Sequence, residues 1–383
     1  MAEPNTSTVP DAAPTGPTSS TDVTCYYHDD VKAPLLRAAI LPVADRLRDA
    51  GLTVHLERHW LHGPHVRLSL RGADALRAEA AADAAERLRG HLVTVPSRTG
   101  LDVAQLLRRS EAAGRAELVP PPYDPIHPDN TVLVTEGDRS SLAALLGTPG
   151  AVGCRADVLA EGLHPIRVSL DELARVGDAP AARVGVVVTA MAAHADTWPG
   201  RLLSGYHTFL SHLEDFLFGE RDAVLRPRFA AFASRAGDRY QRLVRQAATP
   251  DTDDPVAVAW RAWSAASWRI AERAYDAGAL SGMLSTEFRR RSTSFDEATA
   301  IRWDLGQRGA SAYHRALEES GFQRIAATRD FQVYRFCTNM LYQLLALCDV
   351  APLERYLGAH LLAEATQQIH GVPWQDALVA RDG

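Results

Sequence analysis

Residues 52–71 read LTVHLERHWLHGPHVRLSLR, and the fold follows from them. Leu52, Val54 and Leu56 alternate with Thr53, His55 and Glu57. Beyond Gly63 and Pro64, Val66, Leu68 and Leu70 alternate with Arg67, Ser69 and Arg71. A period of two on both sides of a Gly-Pro turn predicts a β-hairpin. Arg58, His59, Trp60, His62, His65 and Arg67 all fall within ten residues around that turn. A plain structural ribbon has no need of so many cationic and titratable groups. A site that grips a polar, carbonyl-rich substrate would use them.

Working outward, 23–27 predicts a strand before the hairpin. A helix follows to about residue 50, capped by Asp29 or Asp30, with Leu35, Leu36, Ile40, Val43 and Leu47 at helical spacing. Helices are predicted over 73–91 and 102–118. The proline-rich stretch 120–130 is an ordered loop, and 131–135 is a further strand. Short helices are expected at 140–146 and 169–176. From 181 onward helix follows helix: 181–195, 200–218, 222–248, 255–275, 279–291, 296–307, 311–320, 328–348 and 352–370. The fold class is therefore α+β. A mixed or antiparallel sheet with helices (about 22–178) precedes a mostly helical part (about 179–371), together forming a single domain over 22–383. Residues 1–21 are rich in Pro, Ser, Thr and Ala, too poor in apolar surface to offset ordering, and are expected to be a disordered tail.

Composition bounds the function. The chain has 383 residues and a net charge of −6, with Lys32 its only lysine and no dense basic run, so nucleic acid is not expected as a partner. Cys25, Cys154, Cys337 and Cys348 form no CxxC pair and no zinc spacing. Scattered thiols suit a reducing compartment; Cys337 and Cys348 lie on apolar helical faces, where core packing is their expected role. No window approaches the ~18 apolar residues of a membrane helix, and no signal pattern opens the chain. A cytoplasmic location without membrane association is expected. Neither GxGxxG nor GxxxxGK[ST] occurs, and His-x-x-x-His is absent. The residues thus point to a site using no cofactor and no metal, or to a binding protein.

Three segments carry candidate chemistry. On the hairpin, Arg67 shares a strand face with His65 and Ser69 and offers a fixed fork of donors to carbonyl or carboxylate groups. The same arginine could instead pair with an acid such as Glu57. In GYHTFLSHLEDFL (205–217), Tyr206, Ser211, His212 and Glu214 combine hydroxyls with a group suited to proton transfer near neutrality. In 331–347, Arg335, Asn339 and Tyr342 make one polar stripe beside an apolar face.

The segment ERHWLHGPHVRLSL resembles the hairpin of the C-terminal, elimination-type domain of class I lantibiotic dehydratases, shared by stand-alone proteins of thiopeptide biosynthesis. GYHTFLSHLEDFL is similar to a helix of that group, and RFCTNMLYQLLALCDVAPLERYLGAHLLAEA (335–365) to its C-terminal helix pair. The resemblance implies one of two reactions. Eliminases remove glutamate from glutamylated Ser or Thr, leaving dehydroalanine or dehydrobutyrine. Pyridine synthases join two dehydroalanines in a formal aza-Diels–Alder (4+2) cycloaddition, then lose water and the leader peptide.

Two departures favour the second. Ser69 stands where eliminases carry a second arginine. The stretch 335–340 replaces H-x-H-x-N-R, keeping Asn339 but losing both histidines and the final arginine. The resemblance implies Arg67 and Asn339 on amide carbonyls, and His212, Tyr206 or Tyr342 moving protons. Arg58, His65, Ser211, Glu214 and Arg335 complete the expected substrate-binding set. The implied partner is a precursor peptide, leader plus dehydrated core, with other maturation enzymes as further partners and a monomer or homodimer as the assembly. A split eliminase and a non-catalytic peptide-binding subunit are the alternatives.

Overall fold

The computed structural model of the chain describes residues 19–220, 222–280 and 285–379. Four strands form its sheet: β1 (Thr21–Tyr26), β2 (Thr53–His59), β3 (His65–Arg71) and β4 (Thr131–Glu136). They pair antiparallel throughout in the order β2-β3-β1-β4. The main helices are α1 (33–49), α2 (Asp74–Thr94), α3 (Val103–Glu117), α4 (Pro149–Ala160), α5 (Leu163–Val176), α6 (Pro180–Ala195) and α7 (His207–Phe218). Beyond them come α8 (Leu225–Ala248), α9 (Pro255–Asp276), α10 (Ala312–Glu319), α11 (Phe322–Ala326), α12 (Arg329–Leu347) and α13 (Pro352–His370). An N-terminal sheet followed by a helical array is the α+β arrangement that the sequence predicts. Residues 1–18 of the expected tail, and part of the helix expected over 279–291, lie outside the described residues.

The hairpin forms in the register its alternation demands, with Leu56 opposite Leu68, Glu57 opposite Arg67 and His59 opposite His65. Gly63, at φ +111°, makes the turn in a conformation costly for any side chain. One sheet face is apolar. Val23, Cys25, Val54, Leu56, Val66, Leu68 and Leu70 are buried there beneath α1 and α2. The opposite face carries Asp22, His55, Glu57, His65, Arg67 and Ser69, and β2 is covered there by α4 and α12. Polar residues alternating along a strand usually mark a solvated face. Here that face is buried too.

Charge pairing makes this burial possible. The Glu57 carboxylate accepts from Arg67 at 2.6 and 3.0 Å and from Arg155 of α4, whose guanidinium also donates to Gln343 of α12 at 2.6 Å. Burial alone would raise the Glu57 carboxyl, but Arg155, Arg67 and His55 outweigh it and hold the group well below its usual range. Beside it, Asp22 accepts from Arg139 at 2.6 and 2.9 Å and from Ser69 at 2.7 Å.

A second clamp corrects the expected start of α1. Neither Asp29 nor Asp30 caps it; the helix begins at Ala33. Its first N–H groups, on Lys32 and Ala33, donate at 2.7–2.9 Å to Asp349 in the α12–α13 turn. Arg58 donates to the same carboxylate at 2.6 Å. A residue 316 positions away thus supplies the cap.

Other boundaries also shift for physical reasons. The helix expected over 200–218 breaks at Tyr206, leaving the short turn Arg201–Gly205 and then α7. Gly205 packs so closely on the end of α6 that a Cβ there would lie 2.0 Å from the Ala195 carbonyl oxygen. The helix expected over 296–307 is interrupted at Asp304, which caps a new short turn with its own carboxylate. α4 and the first half of α5 replace a stretch with no clear pattern, because α4 is buried on several sides and lacks a polar stripe. At the centre lies α6, buried at every position from Val184 to Ala195 and packed by α8, α9 and α13. All four cysteines are buried and free. No single helix among the described residues is long and apolar enough to cross a membrane.

Two stability predictions follow. Glu57→Gln leaves the buried Arg155 guanidinium without a counter-charge, and Arg67 with only Asp22 at 3.9 Å, and lowers unfolding stability by about 3–5 kcal/mol; urea denaturation reads this, with the surface variant Arg87→Gln leaving the midpoint unchanged. Burial pulls His55, His65 and His194 down to about 3, and His59 and His212 to about 4. In each case the unfolded chain takes up the proton first. Stability is therefore full above the ordinary histidine value of 6.5 and declines as pH falls through 6.5 toward 3–4. A pH titration of the melting temperature should show this decline starting well before carboxylates protonate.

Candidate active site

A cavity of about 350 Å³ opens among α7, α10, α11 and α12. From α7 come His207, Thr208, Ser211 and His212, which fall on one side of the helix by their spacing. Tyr313 and Leu317 of α10 form a second wall. Phe322 and Ile325 of α11, then Phe331, Tyr334 and Arg335 of α12, close a third, with Trp198 at the margin. Rings dominate the surface. Tyr334 donates to the Gly205 carbonyl at 3.0 Å and packs on Trp198 with centroids 5.0 Å apart. Behind it His194 stacks on Tyr334, hydrogen-bonded to Ser264 and Thr338, as a satisfied core residue.

Two polar pairs border the cavity. His212 Nδ1 lies 2.9 Å from the Tyr342 hydroxyl. Burial, reinforced by Arg355 and Arg335, pulls His212 down to about 4, so its imidazole is neutral at pH 7. Burial also pushes the Tyr342 phenol up, although the Arg355 guanidinium sits 4.5 Å above its ring. A protonated phenol and a neutral imidazole share one hydrogen bond whose direction follows the imidazole tautomer, the phenol donating when the ring proton sits on Nε2. In the second pair, Ser211 Oγ lies 3.0 Å from His314 Nε2, and His314 Nδ1 lies 2.8 Å from Ser311 Oγ. Each pair can pass a proton without creating a charge in a low-dielectric site.

Among the lining residues there is no carboxylate. Arg335 is half-buried and makes no ion pair or side-chain hydrogen bond among the described residues, and desolvation is the cause that lowers its guanidinium from the ordinary value. Asn339, one turn further along α12, is likewise half-buried and makes no side-chain hydrogen bond among the described residues.

The expected site residues divide into groups. Ser211, His212 and Arg335 meet at the cavity, and Tyr342 joins them through His212. Tyr206 is fully buried in the core next to His207 and does not line the cavity. Glu214 turns away to a bidentate pair with Arg226 at 2.8 and 2.9 Å. Arg58 belongs to the Asp349 clamp. His65 is buried in the hairpin, 2.9 Å from the Gly63 carbonyl, and Arg67 is held by Glu57. α12 joins these two regions: Arg335 lines the cavity and Gln343 meets the Arg155–Glu57 network. Eight residues separate them, about 12 Å of helix.

Several contributors carry no local sequence signal. Arg355, Tyr313, His314 and Trp198 lie outside the expected set and reach the site through packing alone. Trp60, at the hairpin end, donates to Glu117 at 3.0 Å. Burial raises that carboxyl, and the nearby Arg355 partly offsets the rise.

Comparison with known proteins covers almost the whole chain. No protein-family profile and no curated protein sequence matches it. Among solved structures, the pyridine synthase TbtD from thiomuracin biosynthesis superposes with a TM-score of 0.66 at 22% identity, over 92% of this chain and 99% of that one. TsrL superposes with a TM-score of 0.58 at 17% identity, over 95% and 99% of the respective chains. The chain therefore shares, over nearly its full length, the fold of a pyridine synthase.

The neutral pair sets a pH signature. Turnover should stay level from pH 8 down to about 5 and fall only as His212 protonates near 4. A midpoint near 6.5 would mean that His212 is solvated. Tyr342→Phe should lower kcat on the order of 10²-fold, the usual worth of a positioned proton donor, with a smaller change in KM.

Proposed function

We propose that this protein is a pyridine-synthase-like enzyme of thiopeptide maturation. Its substrate is a leader-bearing peptide with two dehydroalanines. One amide tautomerises to its imidic acid, giving a 2-azadiene with the adjoining alkene. The second alkene adds across it, and two C–C bonds close a six-membered nitrogen ring. Loss of water from the former amide carbon, and of the leader as an amide, yields the aromatic ring. Atoms balance without an oxidant or reductant.

The observation that carries this reading is the neutral His212–Tyr342 pair at an aromatic cavity without acids. Tautomerisation takes a proton from nitrogen and delivers one to oxygen. A neutral imidazole bonded to a phenol suits that exchange, since one nitrogen accepts while the other donates. The Ser211–His314 pair is placed to assist departure of water. Holding two alkenes in contact requires walls rather than charges, and such positioning supplies several kcal/mol, roughly, of the acceleration. Arg335 and Asn339 are available to carbonyl oxygens. Arg67, saturated by Glu57, acts in this reading by fixing the hairpin and α12 rather than by holding substrate.

Glutamate elimination from a glutamylated peptide is the second reading. The unpaired guanidinium of Arg335, suited to a carboxylate, favours it.

Incubation with a leader-bearing bis-dehydroalanine peptide, followed by mass spectrometry, separates the readings. Loss of one water with release of an intact leader amide is expected. Turnover only of a glutamylated peptide would replace cyclisation with elimination. Binding without turnover of either would leave a non-catalytic peptide-binding role.

A further inference from the structure

Arg335 differs from most of the covered arginines of this chain, although Arg261, on the Ala247 and Pro250 carbonyls, and Arg355, over the Tyr342 and Tyr356 rings, likewise make no ion pair among the described residues. Arg58, Arg67, Arg71, Arg139, Arg155 and Arg183 are all half-buried or buried, and each contacts a carboxylate. Arg335 is covered to a similar degree and has no such partner among the described residues. No lining residue of its cavity is an Asp or Glu. A guanidinium brought partly out of water beside Phe331, Phe322 and Tyr334 loses hydration that no described residue restores. An anion entering with the ligand would restore it.

The charge and shape of the cavity narrow its class. The planar fork of Arg335 matches a carboxylate through two parallel N–H···O bonds. The surrounding rings and Leu317 and Ile325 give the carbon skeleton beside that carboxylate an apolar bed.

We propose that this cavity selects a peptide segment bearing a free carboxylate, and that Arg335 is the residue that reads it. The inference rests on the proposed function only in taking a peptide as substrate. The carboxylate has two possible sources, the C-terminus of the core peptide or an acid carried on a side chain. The chemistry of recognition is the same for both. Its consequence is that the cavity discriminates between otherwise identical peptides by a single charge located near the reacting residues.

Binding is measured by fluorescence anisotropy on the full chain, apart from turnover. The probes are three labelled, leader-bearing bis-dehydroalanine peptides: a C-terminal acid, the matching C-terminal carboxamide, and that carboxamide carrying a glutamyl ester on a serine. Wild type should bind at least one carboxylate-bearing probe about tenfold or more tighter than the plain carboxamide, as expected for a charged hydrogen-bonded pair. Arg335→Gln should abolish the difference, with all three probes binding at the carboxamide level. Arg335→Lys should restore part of it, which a purely structural role would not. Preference for the acid assigns the carboxylate to the chain end, and preference for the ester assigns it to a side chain. Equal binding of all three by wild type, or a preference that survives in Arg335→Gln, overturns the proposal. If the preference holds but no ring forms, the cycloaddition reading fails and this one stands.

Discussion

A single buried carboxylate, Glu57, holds the two halves of this molecule in register. It stands on the edge strand of the sheet and is gripped from its own hairpin by Arg67 and from the helical part by Arg155. Arg155 in turn donates to Gln343 on α12. Without that grip the buried Arg155 guanidinium would be an uncompensated charge, and Arg67 would be left with Asp22 alone. The Asp349 clamp repeats the device in reverse, with a carboxylate from the helices closing on Arg58 and the start of α1. Two carboxylates offered in opposite directions across the seam fix how α12 lies on the sheet.

Fixing α12 fixes the cavity. One helix carries Arg335 at the cavity, Tyr342 behind His212 and Gln343 at the Glu57 network. The site's electrostatics then follow from burial. Imidazoles are kept neutral and phenols protonated because water is excluded, and Arg355 and Arg335 reinforce neutrality at His212. The same exclusion leaves Arg335 without a counter-ion. Acid sensitivity of the fold and neutrality of the site thus have one cause, since the buried histidines that stay uncharged in the folded chain are those the unfolded chain would protonate.

The sheet-then-helices order, the hairpin and its register, and most helix positions could be read directly, because period two and period 3.6 are local properties of the chain. The helix α4 was not legible, since burial on several sides removes the polar stripe that marks a helix. The break at Tyr206 was not legible either; close approach of Gly205 to the Ala195 carbonyl is a contact between elements. Among the candidate site residues, Ser211, His212, Arg335 and Tyr342 meet in space, whereas Glu214, whose spacing puts it on one face with Ser211, turns toward α8, and Tyr206, of the same short segment, points into the core. Residue type and spacing on one helix cannot tell these directions apart, because which face meets a cavity depends on the neighbours.

By itself, then, the sequence determined the elements, the apolar face of the sheet, and the presence of unusual charge on the hairpin. Only the tertiary structure decided what that charge is for. Arg67 reads locally either as a donor fork for substrate or as the partner of an acid such as Glu57; the fold gives it Glu57, 10 positions away, and brings Arg155, 88 positions away, onto the same carboxylate to close a buried network. Arg335 reads as part of a polar stripe that could line a pocket or be the outside of an amphipathic helix; the fold sets it at an aromatic cavity, with no ion pair among the described residues. The physical reason is the same for both. A charge is defined by its counter-charge and its access to water, and both are set by distant segments that pack against it rather than by the residues beside it in the chain.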